Sequence, residues 1–163
     1  MTGGSRGLGR EMALAIADAG ADVILTGRGG DSLEQTARDI RELGREAFTV
    51  QADIGNPAEC EIACRKALDN HGPINILINN VGGRRIDIPT QEMPLEDWQR
   101  IIDLNLTSTF LCTKLIGGAM LEHGTGRVIN IASISGMVAN RGIGGRSYET
   151  SKAAVIQFTR ATA

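Results

Sequence analysis

The amino-acid sequence predicts an α/β fold, in which a parallel β-sheet is wound with helices on both faces. Short apolar stretches alternate with amphipathic helical stretches along the whole chain, and this order implies right-handed crossovers between parallel strands. Glycines gather at the junctions between the stretches, where turns are expected. The stretch Ile74 to Ile78 is nearly all apolar, which is typical of a strand buried on both faces.

The first helix is predicted where apolar residues recur at three- and four-residue steps, before Gly20 stops the pattern. Gly44 ends the second helix in the same way, and Pro57 suits the first turn of the third. The predicted elements are, in order, a helix over 8–19, a strand over 23–25, a helix over 32–43, a strand over 47–50, a helix over 57–70, a strand over 74–78, a long helical pattern in two pieces over 94–121, a strand over 127–131, and a helix that carries Tyr148.

Length and composition favour one domain over residues 1–163 and exclude several classes of function. The chain has 163 residues and a formal net charge of -2, without the basic stripe of a nucleic-acid-binding protein. No apolar run approaches the roughly 20 residues that span a bilayer, and none resembles a secretory signal, so we expect a cytoplasmic protein without a membrane partner.

Cysteine usage predicts neither a disulfide framework nor a metal site. The chain has three cysteines, an odd number that fits a reducing compartment. Cys60 and Cys64 are one helical turn apart, but the sequence offers no second cysteine pair or histidine cluster to complete a tetrahedral set. Packing in the core is the expected use of these side chains.

Tyr148, the only tyrosine in the chain, lies four residues before Lys152. On a helix both side chains project from one face. An ammonium favours the charged form of a nearby phenol, so we expect the tyrosine pKa to fall from about 10 toward a value suited to general acid–base chemistry. The alternative is a half-buried tyrosine with a lysine snorkelling past it.

A glycine-rich loop, Thr2 to Gly9, leads into the first predicted helix. Backbone N–H groups at a helix N-terminus can approach a pyrophosphate closely where no Cβ intervenes. Arg28 follows the next strand at the position where a carboxylate would bind a ribose 2′-hydroxyl, and Arg6 lies in the loop. Two guanidiniums without a carboxylate favour a 2′-phosphate, and therefore NADP over NAD.

Four separated motifs together resemble the short-chain dehydrogenase/reductase family. Thr2-Gly3-x-x-x-Gly7-x-Gly9 is similar to its cofactor loop, and Asn79-Asn80-Val81-Gly82 to its strand-end motif, with valine where alanine is usual. Ser133 matches the catalytic serine, and Tyr148-x-x-x-Lys152 the catalytic pair. The resemblance implies a Rossmann-type doubly wound sheet and hydride transfer between NADP(H) and a carbonyl or secondary alcohol, with the substrate left open among 3-oxoacyl thioesters, sugar acids or polyols, and small or steroid-like ketones.

The resemblance also implies roles for individual residues. Tyr148 would move the proton, Ser133 would orient the substrate oxygen, Lys152 would hold the nicotinamide ribose, and Asn105 would keep a water that links the lysine to solvent. Ser135, two residues beyond Ser133, would share its strand face and remains an alternative. The implied cofactor-binding residues are Gly3, Ser5, Arg6, Gly7, Leu8, Gly9, Arg28, Asp53, Ile54, Asn80, Val81, Gly82, Tyr148 and Lys152.

The chain departs from the family pattern at both ends. The family's first strand would precede Thr2, and further strands would follow Ala163, so the sequence looks like a fragment whose fold lacks the first strand and the C-terminal strands. Two strand edges would then lack a partner, and we expect marginal stability or dependence on association. The resemblance further implies a homo-oligomer that assembles through the helices over 98–121 and from Ser147 onward. A catalytically inactive NADP-binding fragment or regulator is the alternative function.

Overall fold

The computed structural model describes residues 1–83, 86–139 and 146–163. Helices and strands alternate in the predicted order. The elements are α1 (Gly7–Asp18), β1 (Val23–Gly27), α2 (Gly30–Glu42), β2 (Ala47–Gln51), α3 (Pro57–His71), β3 (Ile76–Asn79), α4 (Leu95–Ile102), α5 (Ser108–Cys112), α6 (Gly118–Glu122), β4 (Arg127–Asn130) and α7 (Arg146–Thr162), with short 3₁₀ turns at Thr90–Glu92 and Ile134–Gly136. No helix in the described ranges is long and apolar enough to cross a membrane.

The strands form two parallel pairs that the first residues of the chain connect. β1 pairs with β2, and β3 pairs with β4. Between the pairs, the Thr2 amide donates to the carbonyl of Ile78 at 3.0 Å, and the Thr26 amide donates to the carbonyl of Met1 at 3.0 Å. The spatial order is therefore β2, β1, the Met1–Thr2 segment, β3 and β4, a doubly wound order with its centre at the start of the chain.

A cavity of about 480 Å³ separates β1 from β3 beyond the Met1–Thr2 segment. Residues of β1, among them Val23 and Ile24, and residues of β3, among them Leu77 and Ile78, line it. Ile76 lines this cavity and is 46% exposed, so the expectation of burial on both faces is wrong at this residue. The strand also begins at Ile76 rather than Ile74.

Helices cover both faces of the sheet, as predicted. On one face, α1 and α2 pack against β1 through fully buried side chains that include Leu25, Leu33 and Ile40. On the other face, α3 and the α5–α6 region pack against β2 and β3 around Leu77 and Ile116. Two apolar cores therefore hold the sheet between helical layers.

The long helical pattern after residue 94 forms one continuous helix, so the expectation of two pieces is wrong. Two π-helical turns, Asp103–Thr107 and Thr113–Gly117, join α4, α5 and α6, and the backbone stays helical through both junctions. A π-turn disturbs the regular ladder, and side-chain hydroxyls replace some of its bonds. Ser108 donates to the carbonyl of Leu104 at 2.8 Å, and Thr109 donates to that of Asn105 at 3.2 Å.

Candidate active site

The glycine loop meets the start of α1 in a conformation that requires glycine. Gly3 has φ +70°, and a Cβ on Gly9 would lie 2.0 Å from the carbonyl oxygen of Gly3. The backbone of the loop therefore folds directly onto the first turn of the helix. That turn carries no acidic side chain, so the positive end of the helix dipole stays available to an anion.

Hydrogen bonds of Thr2 connect the end of β3 to the glycine loop. Its hydroxyl accepts hydrogen bonds from the amides of Asn80 at 2.9 Å and Val81 at 3.1 Å. In return, the Asn80 side chain donates to the carbonyls of Thr2 at 3.1 Å and Gly3 at 3.3 Å. The two motifs that the sequence separates by more than 70 residues thus form one bonded unit.

Lys152 and Tyr148 project from the same face of α7 into one cleft. The Lys152 ammonium donates to the carbonyl of Ile131, at the end of β4, at 2.7 Å. The lysine is only 4% exposed, and this burial lowers its pKa. Its nitrogen lies 6.0 Å from the centre of the Tyr148 ring, at the outer limit of a cation–π contact.

Asn105 is completely buried in the first π-turn and holds the segment after β3. Its amide nitrogen donates to the carbonyls of Gly83 at 3.0 Å and Ile101 at 2.9 Å, while its oxygen accepts from the Gly83 amide at 3.0 Å. A Cβ on Gly82 would lie 2.8 Å from the Asn105 oxygen and 3.0 Å from the Lys152 nitrogen. Glycine at position 82 lets the strand end pass between these two polar groups.

Ser133 lies between β4 and the Ile134–Gly136 turn. Its hydroxyl oxygen accepts a hydrogen bond from the Ser135 amide at 3.1 Å, which fixes the turn. A Cβ on Gly136 would lie 2.7 Å from the backbone carbon of Lys152, so the turn packs closely onto α7. The serine segment and the tyrosine helix are therefore neighbours.

A cleft of about 710 Å³ runs along the carboxyl ends of the strands. Every residue predicted to bind the cofactor lines it except Gly7, and so do both Tyr148 and Lys152. Ser133 and Asn105 are outside its lining, although Ala132 and Ile131 belong to it. Arg28 and Asp53 form a long ion pair of 3.8 Å at its edge, with both side chains substantially exposed.

Sequence reasoning missed several residues of the cleft wall. The lining residues that were not predicted are Gly27, Ala52, Gly55, Gly83, Arg100, Ile101, Leu104, Ile131 and Ala132. Gly83 directly follows the strand-end motif, so its position in the sequence could have identified it as a residue of the cleft. The long-helix residues at 100–104 have no local signal, because only the packing of that helix brings them to the cleft.

A parallel α/β sheet with a glycine-rich turn, a helix N-terminus and a polar cleft at the carboxyl ends of its strands defines the class of nucleotide-binding α/β domains. The family model described as short chain dehydrogenase matches residues 1–163, and the chain belongs to this family.

Curated relatives and solved structures carry different activities within this family. The chain is 41% identical over its whole length to a 3-oxoacyl-[acyl-carrier-protein] reductase of Synechocystis sp. and spans 65% of that protein. It is 34% identical to the galactitol 2-dehydrogenase of Rhizobium johnstonii, again over its whole length, and spans 63% of it. The crystal structure of an NADPH-dependent 3-quinuclidinone reductase from Rhodotorula rubra superposes with a TM-score of 0.92 at 31% identity, over 99% of this chain and 61% of that one. The chain thus spans less than two thirds of these relatives.

Proposed function

We propose that this chain is the cofactor-binding and catalytic part of an oxidoreductase that transfers a hydride between NADP(H) and a carbonyl or secondary alcohol. The observation that carries the proposal is the meeting of the Tyr148 and Lys152 side chains with the glycine loop in a single cleft. Proton transfer at the substrate oxygen then takes place beside the position where a dinucleotide would bind. A bound nicotinamide would supply or accept the hydride.

Lys152 is held where its positive charge can stabilise a developing negative charge. Its hydrogen bond to the Ile131 carbonyl and its burial fix the ammonium near the phenol, where the positive charge stabilises negative charge on the tyrosine oxygen as its proton leaves. Tyr148 is the general acid or base, and Ser133 donates a hydrogen bond that orients the substrate oxygen. Asn105 positions the segment after β3 and, through its remaining acceptor capacity, a water that serves the lysine.

The residues present suit a dinucleotide. Glycine at positions 3, 9 and 82 lets the loop, the helix start and the strand end pack closely along the cleft, because a Cβ there would lie 3.0 Å or less from neighbouring protein atoms. Leu8 and Gly9, in the first turn of α1, line the cleft, and the free amides of that turn would stabilise a pyrophosphate there. These features support cofactor binding independently of the catalytic residues.

Two guanidiniums at the edge of the cleft support the choice of NADP. Arg6 and Arg28 both line it and are exposed, and Asp53 engages Arg28 only through the long 3.8 Å pair. Such an exposed pair is weak, so the guanidinium stays free to bind a 2′-phosphate. The related 3-quinuclidinone reductase is named as NADPH-dependent, which agrees with this choice.

Turnover tests the catalytic assignment. NADPH oxidation is measured with a panel of 3-oxoacyl thioesters, keto sugars and small ketones, and NADP reduction with polyols. Tyr148→Phe should abolish turnover and leave the dissociation constant of NADPH nearly unchanged, because it removes one hydroxyl. Ser133→Ala should reduce turnover far more than Ser135→Ala. Activity of Tyr148→Phe within a few-fold of wild type would disprove the proposed role.

Cofactor preference tests the arginine assignment. Arg28→Asp should weaken NADPH binding strongly and shift the preference toward NADH. Arg38→Asp makes the same charge change on the exposed side of α2, outside the cleft, and should leave the preference unaltered. Equal effects of the two substitutions would mean that net charge, and no specific contact, decides the preference.

A nucleotide-binding module without turnover is the second candidate function. It is favoured by the glycine loop and the first turn of α1, which line the cleft and support nucleotide binding whether or not the catalytic residues act. This candidate predicts that NADPH raises the melting temperature while no substrate is turned over. The absence of both effects would exclude both candidates.

We further propose that the protein acts in the cytoplasm as a homo-oligomer. The exposed Phe110 of the long helix packs edge to face on Phe158 of α7, with ring centres 6.3 Å apart, and Leu95 and Leu121 of the long helix are exposed as well. Sedimentation of the wild type and Phe110→Glu compares the subunit numbers. A wild-type monomer would contradict the proposal.

A further inference from the structure

All three cysteines of the chain converge on one point in the core between α3 and α5. The Cys112 sulfur lies 3.6 Å from that of Cys60 and 3.7 Å from that of Cys64, and the three sulfurs all lie within 4.8 Å of one another. Each side chain is buried, with at most 6% exposed. Cys112 is 48 residues from Cys64, so the cluster depends on helix packing.

The triangle formed by the three sulfur atoms has the size that a three-coordinate ion requires. Metal–thiolate bonds of about 2.3 Å in a planar trigonal arrangement place the sulfurs about 4.0 Å apart. Two sides of the observed triangle are shorter, at 3.6 and 3.7 Å. An ion that sits above the plane of its ligands, in a pyramidal arrangement, brings the sulfurs closer together and fits these two sides better.

We propose that Cys60, Cys64 and Cys112 form a three-thiolate site for a soft trivalent species, with arsenite as its probe. The reaction is a condensation in which three S–H groups and As(OH)₃ give As(SR)₃ and three waters. Three As–O and three S–H bonds break, three As–S bonds and three O–H bonds form, and no atom changes its oxidation state. The step needs no other reactant.

Charge selects the trivalent species over common metal ions. Three thiolates carry three negative charges, and only a trivalent centre gives a neutral complex. A charged complex in an apolar core is costly without a counterion. Ala63, Leu77, Leu111, Ile116 and Met120 belong to the same apolar core cluster as the three cysteines, and no histidine or carboxylate among the described residues joins the sulfurs as a fourth ligand.

Cys64 and Cys112 also line the cavity between β1 and β3. As(OH)₃ is neutral, so its entry into the core does not require the burial of a charge. No cysteine lines the cleft that holds Tyr148, so the site is separate from the proposed catalytic centre.

Intact mass after incubation of the reduced chain with arsenite tests the proposal. The wild type should gain one arsenic and lose three hydrogens, whereas a two-thiol adduct would retain a hydroxyl. Cys112→Ala should lose the three-bond adduct. Ile116→Val shortens a buried neighbour in the same core without removing sulfur and should keep it.

Two further measurements test the proposal even if Cys112→Ala folds poorly. In urea, the unfolded wild type should not form the three-bond adduct at an arsenite concentration that saturates the folded chain, because folding brings Cys112 to the other two. Zn²⁺ at the same concentration should protect the thiols from alkylation less than arsenite does. A hydroxyl-bearing adduct, equal uptake by the unfolded chain, or equal protection by Zn²⁺ would each overturn the proposal.

Discussion

Replacing Thr2 by valine should destabilise the protein far more than the same substitution at Thr26. Both threonines are buried, and both lie where the two strand pairs meet. The Thr2 hydroxyl accepts two backbone amides, from Asn80 and Val81. The Thr26 hydroxyl is buried without a hydrogen-bond partner in the part of the chain that the structure describes. One chemical change thus has two different structural consequences.

The magnitude follows from the donors that lose their acceptor. A buried donor without a partner costs about 1–3 kcal/mol. Asn80 and Val81 are half-buried beside the cleft, so the lower part of that range applies to each, and Thr2→Val should cost about 2–3 kcal/mol. Thr26→Val replaces an unpaired hydroxyl by a methyl group of similar volume and should be neutral or stabilising, within about 1 kcal/mol.

Urea denaturation measures both substitutions against the wild type, at constant m-value. Thr2→Ser keeps the hydroxyl and should recover most of the lost stability, which separates the hydrogen bonds from packing. If Thr2→Val is too unstable to measure alone, the same comparison is made on a Thr26→Val background. Equal costs of Thr2→Val and Thr26→Val would refute the hydrogen-bond argument.

Two other substitutions and a pH dependence test the remaining geometry. Gly9→Ala places a Cβ 2.0 Å from the Gly3 carbonyl oxygen and should abolish the thermal shift produced by NADPH, whereas Gly118→Ala, in a helix with open space around it, should stabilise by about 0.5–1 kcal/mol. Preserved cofactor binding in Gly9→Ala would contradict the loop geometry. Burial lowers the pKa of Lys152 from 10.5, so the unfolded chain holds this proton more tightly and the wild type gains stability as pH rises toward about 10.5. The stability of the wild type relative to Lys152→Met should therefore increase between pH 7 and pH 10 in urea denaturation, and a constant difference would show that Lys152 titrates as it does in the unfolded chain.

The order of elements could be predicted because hydrophobic periodicity and glycine stops are local signals. Gly44, for example, has φ +78° just after Leu43, the C-cap of α2, as its predicted role as a stop requires. The π-turns in the long helix could not be predicted, since the apolar pattern alone does not distinguish a π-turn from a break. Their stabilisation by the Ser108 and Thr109 hydroxyls appears only in the packed helix.

The cofactor residues could largely be predicted, because the glycine loop and the strand-end motif are contiguous in the sequence. The structure adds how they cooperate, through Thr2, which no motif singled out as a hydrogen-bond centre. The cysteine cluster could not be predicted from spacing. Cys60 and Cys64 are a visible helical pair, whereas Cys112 reaches them only because α5 packs on α3.

The place where the two strand pairs meet also forms the base of the proposed active site. Gly3 and Arg28 reach the cleft from the side of β1 and β2, while Asn80 and Lys152 reach it from the side of β3 and β4. A dinucleotide that spans the cleft therefore contacts both pairs and is stabilised only while they keep their relative position. Since free energy gained on binding the folded state adds to its stability, the cofactor should stabilise the contact between the two strand pairs.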